Sequence, residues 1–417
     1  MTPLYERLQS ELHARPHPVL TGRMATALVV HMGGQRAKID ACCTALVTTH
    51  GWQQRADVDQ YRLYVLGDVQ VRVEQHQEFV TYSVFAPTGS LAFSTNAWEC
   101  LPVGWAATLP GEPMVRLRMH VAPADARPLT RDELEPLFGD HQFLGAAVSD
   151  GKAAVWTDYR LNADGWGLIL VQDFGLSPRR CGRLIQRLHD LETYRQMALV
   201  GLPLARDISP QLDELEHRLT DAIAALGDTP AADDSVQLCR FITLAIAAEH
   251  LRASSAQRLR GTRAYADIVS ERLDELRQHK IAGFQTLSEF LGRRMNPALR
   301  LCVSVQERLE ELSVRIDRST DLLRTRIDTQ LEAQNQAVLA SMDRRAAMQL
   351  RLQQTVEGLS VVVLTYYVVG LLKYLLVGAK TTGWHVDSDL LVAIAVPVVA
   401  ILVWSITRII HRRLQQH

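Results

Sequence analysis

The chain reads as an α+β body, followed by a long-helix bundle or coiled-coil stalk and a C-terminal two-helix transmembrane hairpin. Three observations predict this. Two apolar stretches, residues 358–377 and 390–410, lie near the C-terminus. Each is long enough to cross a hydrocarbon core of roughly 30 Å at about 1.5 Å per residue. No proline occurs between Pro297 and Pro397, and no glycine between Gly292 and Gly358. Before residue 205, short β-like runs alternate instead with turn residues.

In order along the chain, residues 5–13 suit a short helix stopped by Pro16 and Pro18. Residues 24–32 (MATALVVHM) form a β-like run closed by Gly33 and Gly34, and 35–50 suit a helix. Residues 62–66, 69–74 and 79–85 are closely spaced strands. Gly67-Asp68 makes the first turn, VQVRVE alternates, and Pro87-Thr88-Gly89 closes the meander. Residues 114–121 (MVRLRMHV) alternate in the same way. Residues 146–148, 153–158 and 167–172 add strands, the last two joined by the polar turn Asn162-Ala163-Asp164-Gly165. Ser177-Pro178 is an N-cap with proline in the first turn. It starts a helix to about Leu199, and Pro203 ends the unit.

From residue 209 the pattern becomes helical. Leu212, Leu215, Leu219, Ile223 and Leu226 recur by threes and fours, and 227–235 is a loop. Residues 236–279 and 281–294 are again helical, with Asn296-Pro297 the last break. Val305, Leu309, Leu312, Ile316, Leu323, Ile327, Leu331 and Val338 then make a coiled-coil-like stripe. It predicts one helix of about 60 residues, roughly 90 Å long, running into the first span. An antiparallel bundle within the chain and self-association both satisfy that stripe. The expected domains are residues 1–205 (mixed α/β), 206–357 (bundle or stalk), 358–410 (hairpin) and 411–417 (basic tail).

The flanks of the spans predict orientation. Arg344, Arg345 and Arg351 precede the first span, and Arg408, Arg412 and Arg413 follow within or after the second. Between the spans Lys380 faces Asp387 and Asp389. Basic residues stay inside, so both termini are expected in the cytoplasm of a multi-pass inner-membrane protein. The start of the chain has no apolar core for a signal peptide. The net charge of -1 gives no reason to expect nucleic acid. The expected partners are the lipid bilayer, further copies of the chain and other proteins. Six cysteines lie scattered without CxxC spacing and read as reduced, buried thiols.

No P-loop, GxGxxG, GxSxG, HExxH or calcium-loop pattern is present, so no catalytic residue and no cofactor are assigned. Glu11, His13, Arg15 and His17 concentrate polar groups that suit an anion or a metal, or equally a solvated helix end. His76 with Glu78, on one strand face, and His189 with Glu192, on one helix face, could each supply two metal ligands. A site needs a third and a fourth. Asp158, Tyr159 and Arg160 read as an ordinary polar turn. Ser360, Thr365, Tyr366 and Tyr367 give the first span a polar stripe. It suits a water-filled path, or helix–helix hydrogen bonding with close packing at Gly358 and Gly370.

Several strings carry a resemblance. ELHARP (11–16), HQEFVTYSVF, LETYRQMALVGLPLAR and RAAMQLRLQQTVEGLSVVVLTYYVVGLLKYL, in that order, resemble a family of uncharacterised bacterial membrane-anchored proteins, classed as a domain of unknown function. The resemblance implies a membrane anchor with a cytoplasmic body and supplies no activity. The architecture is also similar to CorA-type magnesium channels. Those carry Gly-Met-Asn at the end of the first span, where this chain reads LLVGAKTTG. The expectation is therefore a self-associating scaffold or sensor rather than an enzyme. A CorA-like channel or transporter is the alternative, and a tethered hydrolase or ligand-binding enzyme ranks last.

Overall fold

A computed structural model describes residues 17–58, 60–89, 92–123, 127–139, 141–228, 234–380 and 388–414. The expected helix at 5–13 lies outside them. The chain forms two compact units, divided between Thr320 and Asp321.

In the first unit, the described residues form one ten-stranded sheet. In chain order the elements are β1 (Met24–Met32), α1 (Arg36–Thr48), β2 (Gln53–Val58), β3 (Tyr61–Leu66), β4 (Val69–Gln75), β5 (Phe79–Pro87), β6 (Glu112–Pro123), α2 (Arg131–Phe138), β7 (Leu144–Val148), β8 (Ala153–Leu161), β9 (Gly167–Asp173), α3 (Pro178–Leu199), α4 (Gly201–Asp228), α5 (Asp234–Glu275) and β10 (His279–Lys280). The strand order is β10-β7-β8-β9-β6-β1-β5-β4-β3-β2. Neighbours are antiparallel except β6 and β9, which are parallel.

The central strand β1 is buried on both faces, and its side chains alternate between two cores, as a two-residue period requires. Leu28 and Val30 pack with Leu184, Leu188 and Leu191 of α3, and with Leu287, Leu291 and Met295 further along the chain. Ala25, Ala27 and Val29 face the other way, toward Ile39, Cys43 and Leu46 of α1 and the rings of Trp52, Trp105 and Trp166. Helices thus cover both faces of the sheet, which is why β1 reads as a continuous apolar run.

Several expectations are corrected. Strand β2, an exposed edge held by pairing with β3 alone, is a strand that no expectation covered, because its sequence does not alternate. His76 and Glu78 lie in the turn between β4 and β5, not on a strand. Residues 281–286 are not helical. Arg277 adopts a left-handed φ of 48° after α5, β10 pairs with β7, and Gly283 turns the chain at φ 86°. Pro203 falls in the first turn of α4, where its missing N–H has no intrahelical partner to lose.

The next helix, α6, spans Leu287–Lys380 and passes through Pro297 without a break. Thr286 and Glu289 cap its start reciprocally, each side chain accepting the other's backbone N–H at 3.2 Å. Leu287, Leu291 and Met295 before the proline, and Cys302 and Val305 after it, are all buried. At roughly 1.5–3 kcal/mol for each large apolar side chain, this burial outweighs a proline cost of about 3 kcal/mol.

Val305, Leu309, Leu312 and Ile316 are buried, and Arg308 reaches Glu216 (2.7 Å) and Asp213 (2.5 Å) on α4. This part of the stripe is therefore covered from within the chain. Leu331 and Val338, in the second unit, are exposed. The last helix, α7, is Ser388–Leu414. Of the six free cysteines, Cys43, Cys181 and Cys302 are buried and Cys42 is half-buried. Cys100 and Cys239 are exposed, which corrects the expectation that all are buried.

Candidate functional site: an arginine-lined cleft

Helix α3 carries Arg180, Arg183 and Arg187, spaced by three and four and so on one face. Its other face buries Leu184, Ile185, Leu188 and Leu191. The sheet core thereby fixes the direction in which the arginines point.

Two chain segments meet that face. The β7–β8 turn places Ser149 at φ 55° and Asp150 at φ 61°, closed by Gly151 N–H donating to the Val148 carbonyl at 3.1 Å. Positive φ at both central positions is what a type I′ hairpin turn demands. For residues other than glycine it costs roughly 1–2 kcal/mol each. Ser149 N–H donates to the Leu276 carbonyl at 3.2 Å, tying the turn to the end of α5 beside Arg277. Five non-glycine residues have positive φ among the described residues, and three of them line this cleft. Its volume is about 250 Å³.

The charges do not balance. Glu275 is committed to Arg187 at 2.9 Å and to Arg272 at 3.0 Å, and Arg272 also reaches Asp190 at 3.3 Å. Asp150 meets Arg277 only loosely, both carboxylate oxygens lying 3.3 Å from one nitrogen. Arg180 and Arg183 have no hydrogen bond or ion pair among the described residues. Of the expected N-terminal cluster, Glu11, His13 and Arg15 lie outside the described residues, as does ELHARP. His17 is described. Partial burial, with the charges of Arg183, Arg187, Arg72 and Arg272, pushes its imidazole below the ordinary value. The segment containing His17 is held by Leu20 N–H donating to the Pro178 carbonyl at 3.2 Å. It lies so close to α3 that a Cβ on Gly182 would sit 1.6 Å from the Pro18 carbonyl oxygen.

Several other polar side chains are engaged within the first unit. Arg72, almost fully buried on β4, stacks over Phe85 at 5.3 Å and Tyr61 at 5.9 Å. His189 lies 3.4 Å from the Thr26 hydroxyl and beside the Phe85 ring, and its Nδ1 has no hydrogen-bond partner among the described residues. Burial, with Arg72 adding to it, pushes its pKa down to about 3. Glu192 pairs with Arg195. Glu78 accepts from Arg258 (2.9 Å) and Tyr265 (3.1 Å) of α5. Among the described residues no three His, Cys, Asp or Glu side chains converge as a metal site.

In the second unit, Thr365, Tyr366 and Tyr367 line a gap of about 900 Å³ between α6 and α7, with Val392 and Val396 opposite. Ser360 is not part of it, and its hydroxyl donates to the Val356 carbonyl at 2.8 Å. The most apolar 18-residue windows of α6 and α7 have mean hydropathies of 1.9 and 2.2, and 0 % and 6 % of their residues are buried. Both helices are long and apolar enough to cross a membrane.

The fold and its sites define a mixed α+β protein with a basic cleft, continued by two long apolar helices. A family model described as "Protein of unknown function (DUF3422)" matches residues 1–414, and the chain belongs to that family. No curated protein matches the chain.

Sequence reasoning missed the cleft. The Arg180, Arg183 and Arg187 spacing was there to be read as a basic helix face. Its link to Ser149 and Arg277 had no signal, because those residues are distant in sequence.

Proposed function

We propose that this chain is an integral membrane protein acting as an anchored, self-associating scaffold or sensor, without catalytic activity. The observation that carries this is the exposure of both apolar windows. Leu359, Val362, Leu375, Ile401 and Leu402 are each more than half exposed. Removing such a side chain from water is worth roughly 1.5–3 kcal/mol, and a bilayer supplies that environment along both apolar windows. The basic residues flanking the spans favour a cytoplasmic body with both ends inside. The gap at Thr365, Tyr366 and Tyr367 and the exposed Leu331 and Val338 favour neighbouring copies, since hydroxyls in hydrocarbon are costly without partners. A non-catalytic role is supported by the state of the buried titratable groups. His189 is held neutral, and burial with nearby Asp173 pushes the Cys181 thiol up to about 12, so neither suits proton transfer near neutral pH.

Light scattering on the detergent-solubilised chain tests self-association. The expected mass is a multiple of 46.7 kDa, and a monodisperse single-chain mass would overturn it. In a cysteine-free background, Thr382→Cys should label from outside and Gln416→Cys should not. Ion flux in liposomes that changes on Tyr367→Leu would assign the stripe to a pore instead.

A further inference from the structure

We propose that the cleft between α3, the β7–β8 turn and the end of α5 binds a dianionic phosphate group, as inorganic phosphate or a phosphate monoester. Four guanidiniums line it, from Arg180, Arg183, Arg187 and Arg277, against two carboxylates, Asp150 and Glu275. The lining therefore has an excess of two positive charges. A phosphate monoester carries about -1.5 to -2 at neutral pH, and a single carboxylate would leave half of that excess uncompensated.

The guanidiniums come from two places in the chain, α3 and the turn after α5, and their forks suit an oxyanion approached from more than one side. Glu275 is already held by Arg187 and Arg272, so it does not neutralise Arg180 or Arg183. The Asp150 contact to Arg277 is 3.3 Å, longer than the roughly 2.7–2.9 Å of a strong charge-assisted bond. Arg277 can therefore transfer to a ligand at little loss. Ser149 contributes a hydroxyl to the lining, its N–H being engaged by Leu276. A volume of 250 Å³ equals about eight water volumes, room for a phosphate with a small organic group. The site stands whether or not the chain is anchored in a membrane.

The phosphate could come from solution or from a lipid headgroup, and one experiment separates these. The full chain is placed in nanodiscs of neutral lipid, with or without phosphatidic acid, and titrated calorimetrically with inorganic phosphate and glycerol phosphate at constant ionic strength. Saturable binding tighter than about 1 mM is expected in neutral nanodiscs. Arg183→Gln should weaken it about tenfold or more, because a charged hydrogen-bonding partner is lost. Asp150→Asn should tighten it. Both variants should keep the parent melting temperature, since neither side chain is buried. Phosphatidic acid that abolishes the heat would identify a lipid headgroup as the source, and unchanged binding would identify solution phosphate. Absence of saturable binding to about 20 mM phosphate in neutral nanodiscs would overturn the site. So would an affinity that Arg183→Gln leaves within twofold.

Discussion

Acidification should destabilise the first unit through His189, and the size of the effect follows from its surroundings. The ring is only 3 % exposed, and its pKa falls from 6.5 to about 3, first through burial and then through Arg72. An unfolded chain takes up this proton below pH 6.5, and the folded chain does not until about pH 3. Between those values the unfolded state binds more protons, so stability falls as pH falls. The slope is about 1.4 kcal/mol per pH unit, which is on the order of 2 kcal/mol between pH 6.5 and 5. His17, His31 and His120 are shifted in the same direction, so the whole protein should lose more than this. His189→Leu isolates the effect, because it removes the titration while keeping an apolar side chain against Phe85. Urea unfolding of the full chain in detergent, followed through the buried Trp52, Trp156 and Trp166, gives stability at pH 7, 6 and 5. The stability gap between parent and variant should move by about 2 kcal/mol in the variant's favour from pH 7 to 5. Identical pH slopes would refute the reasoning.

Packing gives further expectations. Gly182→Ala would place a Cβ 1.6 Å from the Pro18 carbonyl oxygen. The segment must lift off and uncover Leu20, at a cost of about 2 kcal/mol, and limited proteolysis should then cut near residues 17–23 at an unchanged helix content. Gly145→Ala would drive a Cβ to 2.2 Å from the Trp156 ring, costing about 1–3 kcal/mol by overpacking; an unaltered melting curve would contradict this cross-strand contact. Leu312→Pro should cost about 3 kcal/mol or more, through the broken helix and the loss of a buried side chain, read as lost helicity by circular dichroism.

Local elements with strong patterns were legible from residue order alone. MATALVVHM is the central strand to the residue, because nine apolar-rich residues between turn signals suit a strand buried on both faces. VQVRVE is part of strand β4, as its alternation predicts, although Arg72 and Glu74 on its polar face are buried rather than solvated. Ser177-Pro178 marked the start of α3 correctly through a proline suited to the first turn, although the Ser177 side chain makes no capping hydrogen bond. The two apolar helices were legible as composition over a single window. Where pattern and context disagreed, context won. Pro297 reads as a stop, yet the helix continues, because buried side chains on both sides outweigh one missing hydrogen bond. His76 and Glu78 read as a strand pair, but they form a hairpin turn. The sheet order, including the parallel β6–β9 pair, comes from long-range packing, since strand pairing joins segments that carry no mark of each other. Long-range packing also decided the cleft. Arg183 on α3, Ser149 in a hairpin and Arg277 after α5 meet because the core side chains beneath them pack, and nothing local in any of those segments records that meeting.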